Sequence, residues 1–382
     1  MAGIYLHIPF CKQACYYCDF HFSTSLKRKE EMIHALVKEL VLRKDENGAE
    51  KIETIYFGGG TPSLLSIEEL QLLIDTIYNN YTVVENAEIT LEANPDDLST
   101  QKIKELAKSP INRLSIGIQS FFDDDLKFMN RAHTAEESEK CLKEVLKYFD
   151  NITIDLIYGV PGMSNKKWLA NLEQAFKFNV PHISSYALTV EEKTALHSFI
   201  KKGKVPPIDE NLALQQFNIL VEECEKQGFV HYEISNFGKP AYFSKHNMSY
   251  WLGEKYIGIG PSAHSFNGLE RFWNVSNNSK YIKELQENKL PSQSEILTAN
   301  NRFNEYIMTG LRTIWGVSFE KVEKEFGALY LEQLKKNAQP FINRGLLEIQ
   351  LHSFSNSTLI TTKKGKFLAD GIASDLFSVN EI

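Results

Sequence analysis

Residues 4–18 read Ile4-Tyr5-Leu6-His7-Ile8-Pro9-Phe10-Cys11-Lys12-Gln13-Ala14-Cys15-Tyr16-Tyr17-Cys18. The apolar run Ile4–Ile8 predicts a β-strand, and three cysteines follow that strand directly. Parallel barrels build their sites at the C-terminal ends of their strands. Five cysteines in 382 residues are too few for a disulfide framework. Three of them within one short loop therefore indicate metal or redox chemistry.

The spacing of Cys11, Cys15 and Cys18 suits an iron–sulfur cluster with one free iron. Three thiolates bind three irons of a four-iron cluster, whereas ferredoxin-type clusters use four cysteines, so the fourth iron can take a ligand from outside the chain. The other two cysteines fall in helical patterns and are interpreted as ordinary helix residues: Cys141 and Cys224. The alternative is structural zinc with His21 as a fourth ligand, but zinc sites typically pair two ligand hooks a dozen or more residues apart.

Strand-like runs alternate with amphipathic helical stretches from residue 1 to about 240. The predicted strands are Ile4–Ile8, Thr54–Phe57, Glu88–Ala93, Arg113–Ile118, Ile152–Tyr158 and Ser184–Thr189. The helical stretches between them include Lys29–Arg43, Ile67–Tyr78, Ala135–Tyr148 and Trp168–Phe178. Such βα units in series predict a parallel sheet with helical crossovers.

One face of the predicted strands is polar. Side chains alternate between the two faces of a strand, so Arg113, Ser115 and Gln119 lie opposite the apolar residues between them. A parallel sheet covered on both faces is normally hydrophobic throughout. We therefore predict an α/β fold, a partial (β/α)6-type barrel whose inner face lines a ligand cavity. The alternative is a sheet with one solvated face, which the apolar crossover helices disfavour.

The alternation stops near residue 240, which divides the chain into three predicted parts. Residues 1–240 form the barrel, 241–295 a connecting segment and 296–382 a mainly helical C-terminal domain. The order of elements in the last part resembles a winged helix. These elements are predicted at Asn301–Trp315, Phe319–Phe326, Tyr330–Asn343, Leu346–Gln350, Thr358–Thr362 and from Lys364 onward.

The composition narrows the classes of protein. The formal net charge is −7 and the pI is near 5.9, which argues against a nucleic-acid binder and favours a protein-contact or lid role for the C-terminal domain. No apolar run approaches the roughly 18 residues of a membrane span. The first residues lack the basic start and long apolar core of a signal peptide. We therefore expect a cytoplasmic protein.

Glycines and polar groups at the ends of the predicted strands mark the cavity. Gly58–Pro62 ends the second strand, and consecutive glycines let a backbone approach a ligand closely. Glu92, Gln119 and Asp155 lie on the polar faces of the next three strands, where each could bind a ribose or an adenine. A buried ion pair explains any one of them equally well. Arg131 can clamp a carboxylate, or lie on the surface.

The pattern Cys-x-x-x-Cys-x-x-Cys after the first strand of a βα series resembles the signature of the radical S-adenosylmethionine (SAM) superfamily. This resemblance implies a [4Fe–4S] cluster whose remaining iron is chelated by the amino and carboxylate groups of SAM. Further segments are similar to the oxygen-independent coproporphyrinogen III oxidase family, over essentially the whole chain: Ile4–Cys11, Gly58–Pro62, Arg113–Gln119, Asn130-Arg131 and Ile154–Gly159. The resemblance implies SAM contacts from Tyr5, Gly58, Gly59, Gly60, Thr61, Glu92, Gln119, Arg131 and Asp155.

Two features separate the chain from the oxidases of that family. Those oxidases carry a further cysteine where this chain has Phe20, and a longer stretch before the cluster motif. Residues 246–251 read His246-Asn247-Met248-Ser249-Tyr250-Trp251, which resembles the H-N-x-x-Y-W motif of the family's haem-chaperone branch. The resemblance implies haem b as a ligand, with His246 and Tyr250 as candidate axial ligands, since imidazole and phenolate both ligate haem iron. The alternative is a histidine packed among aromatic neighbours.

Two functions from different classes follow from the resemblance. The favoured one is a haem chaperone that binds haem and transfers it to respiratory apoproteins, carrying a SAM-ligated cluster without net turnover. The other is an oxidase in which the reduced cluster cleaves SAM and the radical starts decarboxylation of porphyrinogen propionates. His264, Tyr186 and Thr189 are expected near the cavity. A homodimer and contact with membranes through the haem acceptors stay open.

Overall fold

The computed structural model describes residues 2–46, 50–352 and 357–379. The strands are β1 Ala2–Ile8, β2 Ile52–Gly59, β3 Val83–Ala93, β4 Arg113–Gln119, β5 Ile152–Tyr158, β6 His182–Ala187, β7 Val230–Glu233, β8 Asn236–Gly238, β9 Lys255–Ile259, β10 His264–Phe266, β11 Glu270–Asn274, β12 Ser292–Ile296, β13 Val317–Ser318, β14 Leu347–Leu351 and β15 Ser357–Thr361. The α-helices are α1 Lys29–Leu42, α2 Ile67–Asn80, α3 Thr100–Leu106, α4 Asp123–Phe128, α5 Ala135–Val145, α6 Asn165–Lys177, α7 Ala195–Lys201, α8 Glu210–Lys226, α9 Lys245–Trp251, α10 Asn278–Gln286, α11 Ala299–Leu311, α12 Phe319–Phe326, α13 Ala328–Asn343, α14 Lys363–Lys366 and α15 Ala369–Asp375.

One large open sheet organises residues 2–296. Its strand order is β12-β11-β10-β9-β1-β2-β3-β4-β5-β6-β8-β7. The seven strands from β9 to β6 are parallel, and antiparallel strands extend the sheet at both ends. Helices cross over between consecutive parallel strands, as in the predicted α/β partial barrel, which is confirmed together with its mainly helical C-terminal domain.

Local sequence signals start the crossover helices. Ser66 and Glu69 form a reciprocal capping box before α2, and Thr134 with Glu137 does the same before α5. Apolar residues then recur on the inward face of each helix; in α2 they are Leu70, Leu73, Ile74 and Ile77. These faces cover the outer side of the parallel strands, which is why the strands alternate between apolar and polar positions.

The polar face of the strands is enclosed rather than solvated. Thr90, Arg113 and His182 are 0%, 1% and 0% exposed, respectively. Burying polar groups costs free energy unless they find partners, so such a lining marks a lumen that holds hydrogen-bonding groups or a ligand. The alternative of a sheet with one face in water is therefore not what the structure shows.

Residues 241–295, which the sequence predicts to be a connection, differ from that expectation. They form α9 and α10, and β9–β12, with β12 reaching Ile296, extend the sheet beside β1. β9 runs parallel to β1, with Ile4 opposite Ile257. The reason for the difference is that β10–β12 are antiparallel strands of three to five residues, too short to show the βα alternation.

The C-terminal domain packs around its own hydrophobic cluster, which includes Phe303, Ile307, Leu334 and Leu359. Its strands form a small sheet in the order β13-β15-β14, surrounded by α11–α13 and α15. Arg312 joins this domain to the barrel, because its guanidinium bonds the carboxylate of Glu233 at 3.0 Å. Among the described residues, no helix combines the length and the apolar character needed to cross a membrane.

Candidate functional site

A cavity of about 640 Å³ lies at the carboxyl ends of β1–β6. It brings together most of the residues expected to bind the cluster and SAM. Those that line it are Cys11, Cys15, Cys18, Gly59, Gly60, Thr61, Glu92, Gln119, Arg131 and Asp155. Tyr186 and Thr189 line it as well. Gly58, Tyr5, His246 and Tyr250 lie elsewhere.

The three cysteines are free, half-buried thiols on the loop after β1. The Thr61 hydroxyl donates to Cys11 Sγ at 3.4 Å, and Arg131 Nη1 donates to Cys15 Sγ at 3.4 Å. Burial raises the pKa of Cys11, and raises that of Cys18 to about 11. Iron must therefore displace thiol protons when it binds, because thiolates are the metal ligands.

The donor set fits a cluster with three protein ligands. In residues 2–46, 50–352 and 357–379, no three His, Cys, Asp or Glu side chains are grouped to hold one metal ion. A four-iron cluster needs less convergence, because each cysteine binds a different iron. His21, the ligand of the zinc alternative, uses its Nε2 in a hydrogen bond of 2.7 Å with Asn278 Oδ1.

The glycines after β2 allow their loop to lie close to the loop that leads to Cys11. Gly60 N donates to Ile8 O at 2.9 Å. A Cβ on Gly60 would lie 2.6 Å from Phe10 O and 2.8 Å from Ile8 O, both backbone atoms leading to Cys11. Gly59 adopts φ +104°, which favours glycine. Gly58 does not line the cavity, and a Cβ on it would lie 2.8 Å from the ring of Tyr5.

Two carboxyl groups line the cavity side of the barrel. The Tyr56 hydroxyl donates to Glu92 Oε1 at 2.8 Å. Burial raises the pKa of Glu92 to about 7 and that of Asp155 to about 7. Gln119 ends β4 with φ +64°, a conformation rare for a side-chain-bearing residue and concentrated at functional sites. These groups can accept from, or donate to, the hydroxyls and amino group of a nucleoside.

Arg131 lies inside the cavity rather than on the surface. Its Nη2 donates to Asn94 Oδ1 at 2.6 Å and to Gly117 O at 3.0 Å. Its Nε is buried without a hydrogen-bond partner, so one donor is left for a bound carboxylate. Sequence reasoning missed Asn94, although its position two residues after Glu92 places it on the same polar strand face.

Tyr5 does not line this cavity. Its hydroxyl is hydrogen-bonded to His7 Nδ1 at 3.2 Å, and its ring stacks near that of Tyr56 at 6.2 Å. It lines a second cleft on the other side of the cysteine loop. The contact between Tyr5 and SAM stays a prediction.

His246 and Tyr250, the candidate haem ligands, lie outside the cofactor cavity. His246 is 1% exposed, with Nδ1 2.7 Å from Thr54 Oγ1 and Nε2 2.8 Å from the Tyr250 hydroxyl. Its ring stacks on Tyr56 at 4.9 Å, and burial lowers its pKa to about 3. Both ring nitrogens of His246 and the hydroxyl of Tyr250 are therefore already hydrogen-bonded within the protein. This arrangement favours the alternative of a histidine packed among aromatic rings, and haem ligation by the pair stays a prediction.

Comparison with known proteins places the whole chain. Residues 5–175 match the radical SAM superfamily model, and residues 297–368 match the HemN C-terminal domain. A Bacillus subtilis protein named "Heme chaperone HemW" is 33% identical over 376 residues, covering 97% of this chain and 98% of that protein. A Lactococcus lactis protein of the same name is 35% identical over 346 residues, 90% of each. The chain belongs to the HemW family.

The HemW fold is also that of a solved enzyme. Coproporphyrinogen III oxidase (HemN) from Escherichia coli, described as a radical SAM enzyme, superposes with a TM-score of 0.84, covering 99% of this chain and 90% of that one. At 21% identity this likeness shows the fold alone. Membership of the radical SAM superfamily implies a [4Fe–4S] cluster and SAM, and the cavity of this HemW-family chain fits both.

Proposed function

We propose that the protein is a haem chaperone, which binds haem b and transfers it to haem-dependent apoproteins, respiratory ones among them. The observation that carries the proposal is the similarity to proteins named "Heme chaperone HemW" over nearly the full length of both chains. In this proposal haem is cargo, whereas the cluster and SAM are resident cofactors.

The chain's own residues prepare the cofactor cavity. Cys11, Cys15 and Cys18 would hold the cluster. The remaining iron of the cluster would be chelated by the amino and carboxylate groups of SAM. Arg131 offers its unpaired Nε to the SAM carboxylate. Glu92 and Asp155 would accept hydrogen bonds from the ribose hydroxyls of SAM. Because their pKa values are raised to about 7, the two carboxyl groups ionise and accept more strongly as the pH rises.

The residue that counts against oxidase chemistry is Phe20. It stands where the oxidases of the wider family carry a further cysteine, and its side chain is 66% exposed. It lines both the cysteine cavity and the second cleft. An apolar ring where the two cavities meet favours contact with an apolar ligand rather than an added metal or redox contact.

The test uses protein purified without oxygen and reconstituted with iron and sulfide. Ferric haem is titrated by Soret absorbance, and the haem-loaded protein is then mixed with a haem-free respiratory cytochrome. We expect saturable binding and transfer, with no 5′-deoxyadenosine when SAM, reductant and coproporphyrinogen III are supplied. Absence of haem binding would contradict the proposal, and stoichiometric decarboxylation with 5′-deoxyadenosine would establish the oxidase instead.

A single variant distinguishes binding of the cluster from binding of haem. Cys15→Ser removes one of three cluster ligands, so we expect most of the iron, the sulfide and the broad visible absorption to be lost. Haem affinity should stay within about threefold of wild type, because Cys15 lines the cofactor cavity and not the second cleft. Full iron and sulfide content in Cys15→Ser would show that the cluster is bound elsewhere.

The proposal includes the cellular setting. We propose that the protein is cytoplasmic and contacts membranes through its haem acceptors. A homodimer is a further, separately testable part of the proposal. Size-exclusion chromatography with light scattering, with and without the cluster, measures the oligomeric state, and flotation with acceptor-containing vesicles measures membrane contact.

A further inference from the structure

A second cleft lies between strands β9–β11 and helices α11–α12. Its volume is about 680 Å³, in the range of roughly 300–1,000 Å³ that is typical of small-molecule sites. Of the described residues, Asp19 and Phe20 alone line both this cleft and the cysteine cavity. The two compartments are therefore separate and meet at the cysteine loop.

The walls of the cleft are rich in aromatic rings. Those that line it include Tyr250, Tyr256, Phe266, Tyr306 and Phe326. Tyr250 and Tyr256 meet edge to face at 4.6 Å between ring centroids. The rings come from both the sheet and the C-terminal domain, so a flat ligand bound in the cleft would contact rings of each part.

His264 differs from the other histidines of the cleft. His7 and His21 are held by hydrogen bonds. Among the described residues, the exposed His264 ring makes no hydrogen bond. The ring lies at the start of β10, 6.4 Å from that of Trp273. Partial burial and the neighbouring Arg271 lower the pKa of His264, which favours the neutral ring. Neutral imidazole is a good metal ligand.

Cations on three elements complete the cleft. Arg302 has a buried Nε without a hydrogen-bond partner. Lys321 lies over the Tyr306 ring at 4.5 Å, and Arg271 is paired with Glu305 at 2.9 Å. Glu254 and Glu325 also line the cleft, so the cleft does not attract every anion. Arg302 and Lys321 remain to bind carboxylates of a ligand.

We infer that this cleft is the haem site, with His264 as axial ligand and Arg302 and Lys321 as partners of the propionates. The inference deepens the proposed function and rests on it. His246 then acts as a positioning residue, because its Nε2 holds the hydroxyl of Tyr250, which lines the cleft. This assignment accounts for a motif whose histidine is itself inaccessible to iron.

The experiment titrates ferric haem into wild type, His264→Ala, Arg302→Gln and His246→Gln. His34→Ala, on an exposed position of α1 far from either compartment's lining, is the matched control. We expect His264→Ala to bind haem at least tenfold more weakly and with a shifted Soret band, which millimolar imidazole restores. Arg302→Gln should weaken binding without shifting the band, and His246→Gln should keep the wild-type band position.

The outcomes separate the two proposals. Wild-type affinity and an unchanged Soret band in His264→Ala, with haem bound by the wild type, overturn the cleft assignment and leave the chaperone function standing. Loss of the histidine-ligated spectrum in His246→Gln but not in His264→Ala does the same. Failure of the wild type to bind haem overturns the proposed function itself. Far-ultraviolet circular dichroism of each variant shows that it is folded.

Discussion

Gly60 is the residue at which the two loops of the cofactor cavity come closest. A methyl group there would overlap the carbonyl oxygens of Phe10 and Ile8, which cannot swing aside as a side chain would. We expect Gly60→Ala to cost about 2 kcal/mol, as overpacking typically does. Displacement of the cysteine loop should also lower cluster content. Urea unfolding and iron analysis measure the two effects.

Gly371 is the matched control for that substitution. It lies in helix α15, and a Cβ there meets no heavy atom within 4 Å. Gly371→Ala should stabilise the protein by about 0.5–1 kcal/mol, because alanine loses less backbone entropy in a helix. Equal effects of the two substitutions would show that the contact at Gly60 relaxes freely and that the glycine run serves another purpose.

Single residues show where sequence reasoning ends. The cysteine spacing and the polar strand positions predict the cavity lining well, because chain order and strand alternation fix which side chains share a face. His246 could not be placed in the same way. Whether its ring faces a ligand or the barrel depends on how α9 docks on β1 and β2, and no local pattern encodes that docking.

At the scale of elements, the long parallel strands and their crossover helices follow from periodicity, and α12 begins and ends where predicted. The antiparallel strands β10–β12 do not. Their residues are largely polar or exposed, as in β12, where the burial of side chains gives little alternation. Such strands are held by pairing with neighbours that are remote in sequence, so their existence depends on the sheet already being formed.

Arg312, just after α11, connects the C-terminal domain to the barrel through a buried charge. Its guanidinium bonds Glu233, whose side chain is 0% exposed, and Asp370 at 2.5 Å, and it lies 4.9 Å over the Trp251 ring. Arg312→Ala leaves the Glu233 carboxylate without its cation, so we expect a loss of about 3 kcal/mol. Denaturant unfolding and limited proteolysis between the domains measure the loss.

Lys363 provides the comparison at the same interface. It pairs with Glu225, but both side chains are exposed to solvent. Exposed ion pairs contribute roughly 0–1 kcal/mol, so Lys363→Ala should leave both the unfolding midpoint and the protease pattern nearly unchanged. If the two variants lose equal stability, the domain contact depends on general charge rather than on the buried Glu233–Arg312 pair.

The whole molecule combines two compartments around one loop. The cysteine loop forms part of the cofactor cavity, and Asp19 and Phe20 beyond it reach the aromatic cleft. The sheet fixes the first compartment, whereas the second lies between strands β9–β11 and helices α11–α12 of the C-terminal domain.

Buried histidines set the pH range in which this assembly is stable. Burial lowers the pKa of His7 and His133 to about 4, and of His231 and His246 to about 3, from the ordinary 6.5. Below pH 6.5 the unfolded chain takes up these protons and the folded chain does not. Stability is thus fully present above pH 6.5 and falls with acidification. The raised pKa values of Glu92 and Asp155 act in the opposite direction but involve fewer protons.

His231 allows the contribution of a single histidine to the pH dependence of stability to be measured. Its ring stacks on Phe237 at 4.1 Å, its Nε2 donates to Ile234 O at 3.0 Å, and its buried Nδ1 has no partner. His231→Gln removes one proton from the difference between the unfolded and folded states. The fall in unfolding free energy between pH 6 and pH 4 should then be less steep by about 1.4 kcal/mol per pH unit. Urea titrations across that range measure the slope, with the exposed His34→Gln as the control that should match wild type. A slope unchanged in His231→Gln would mean that the His231 ring takes up its proton while the protein is still folded.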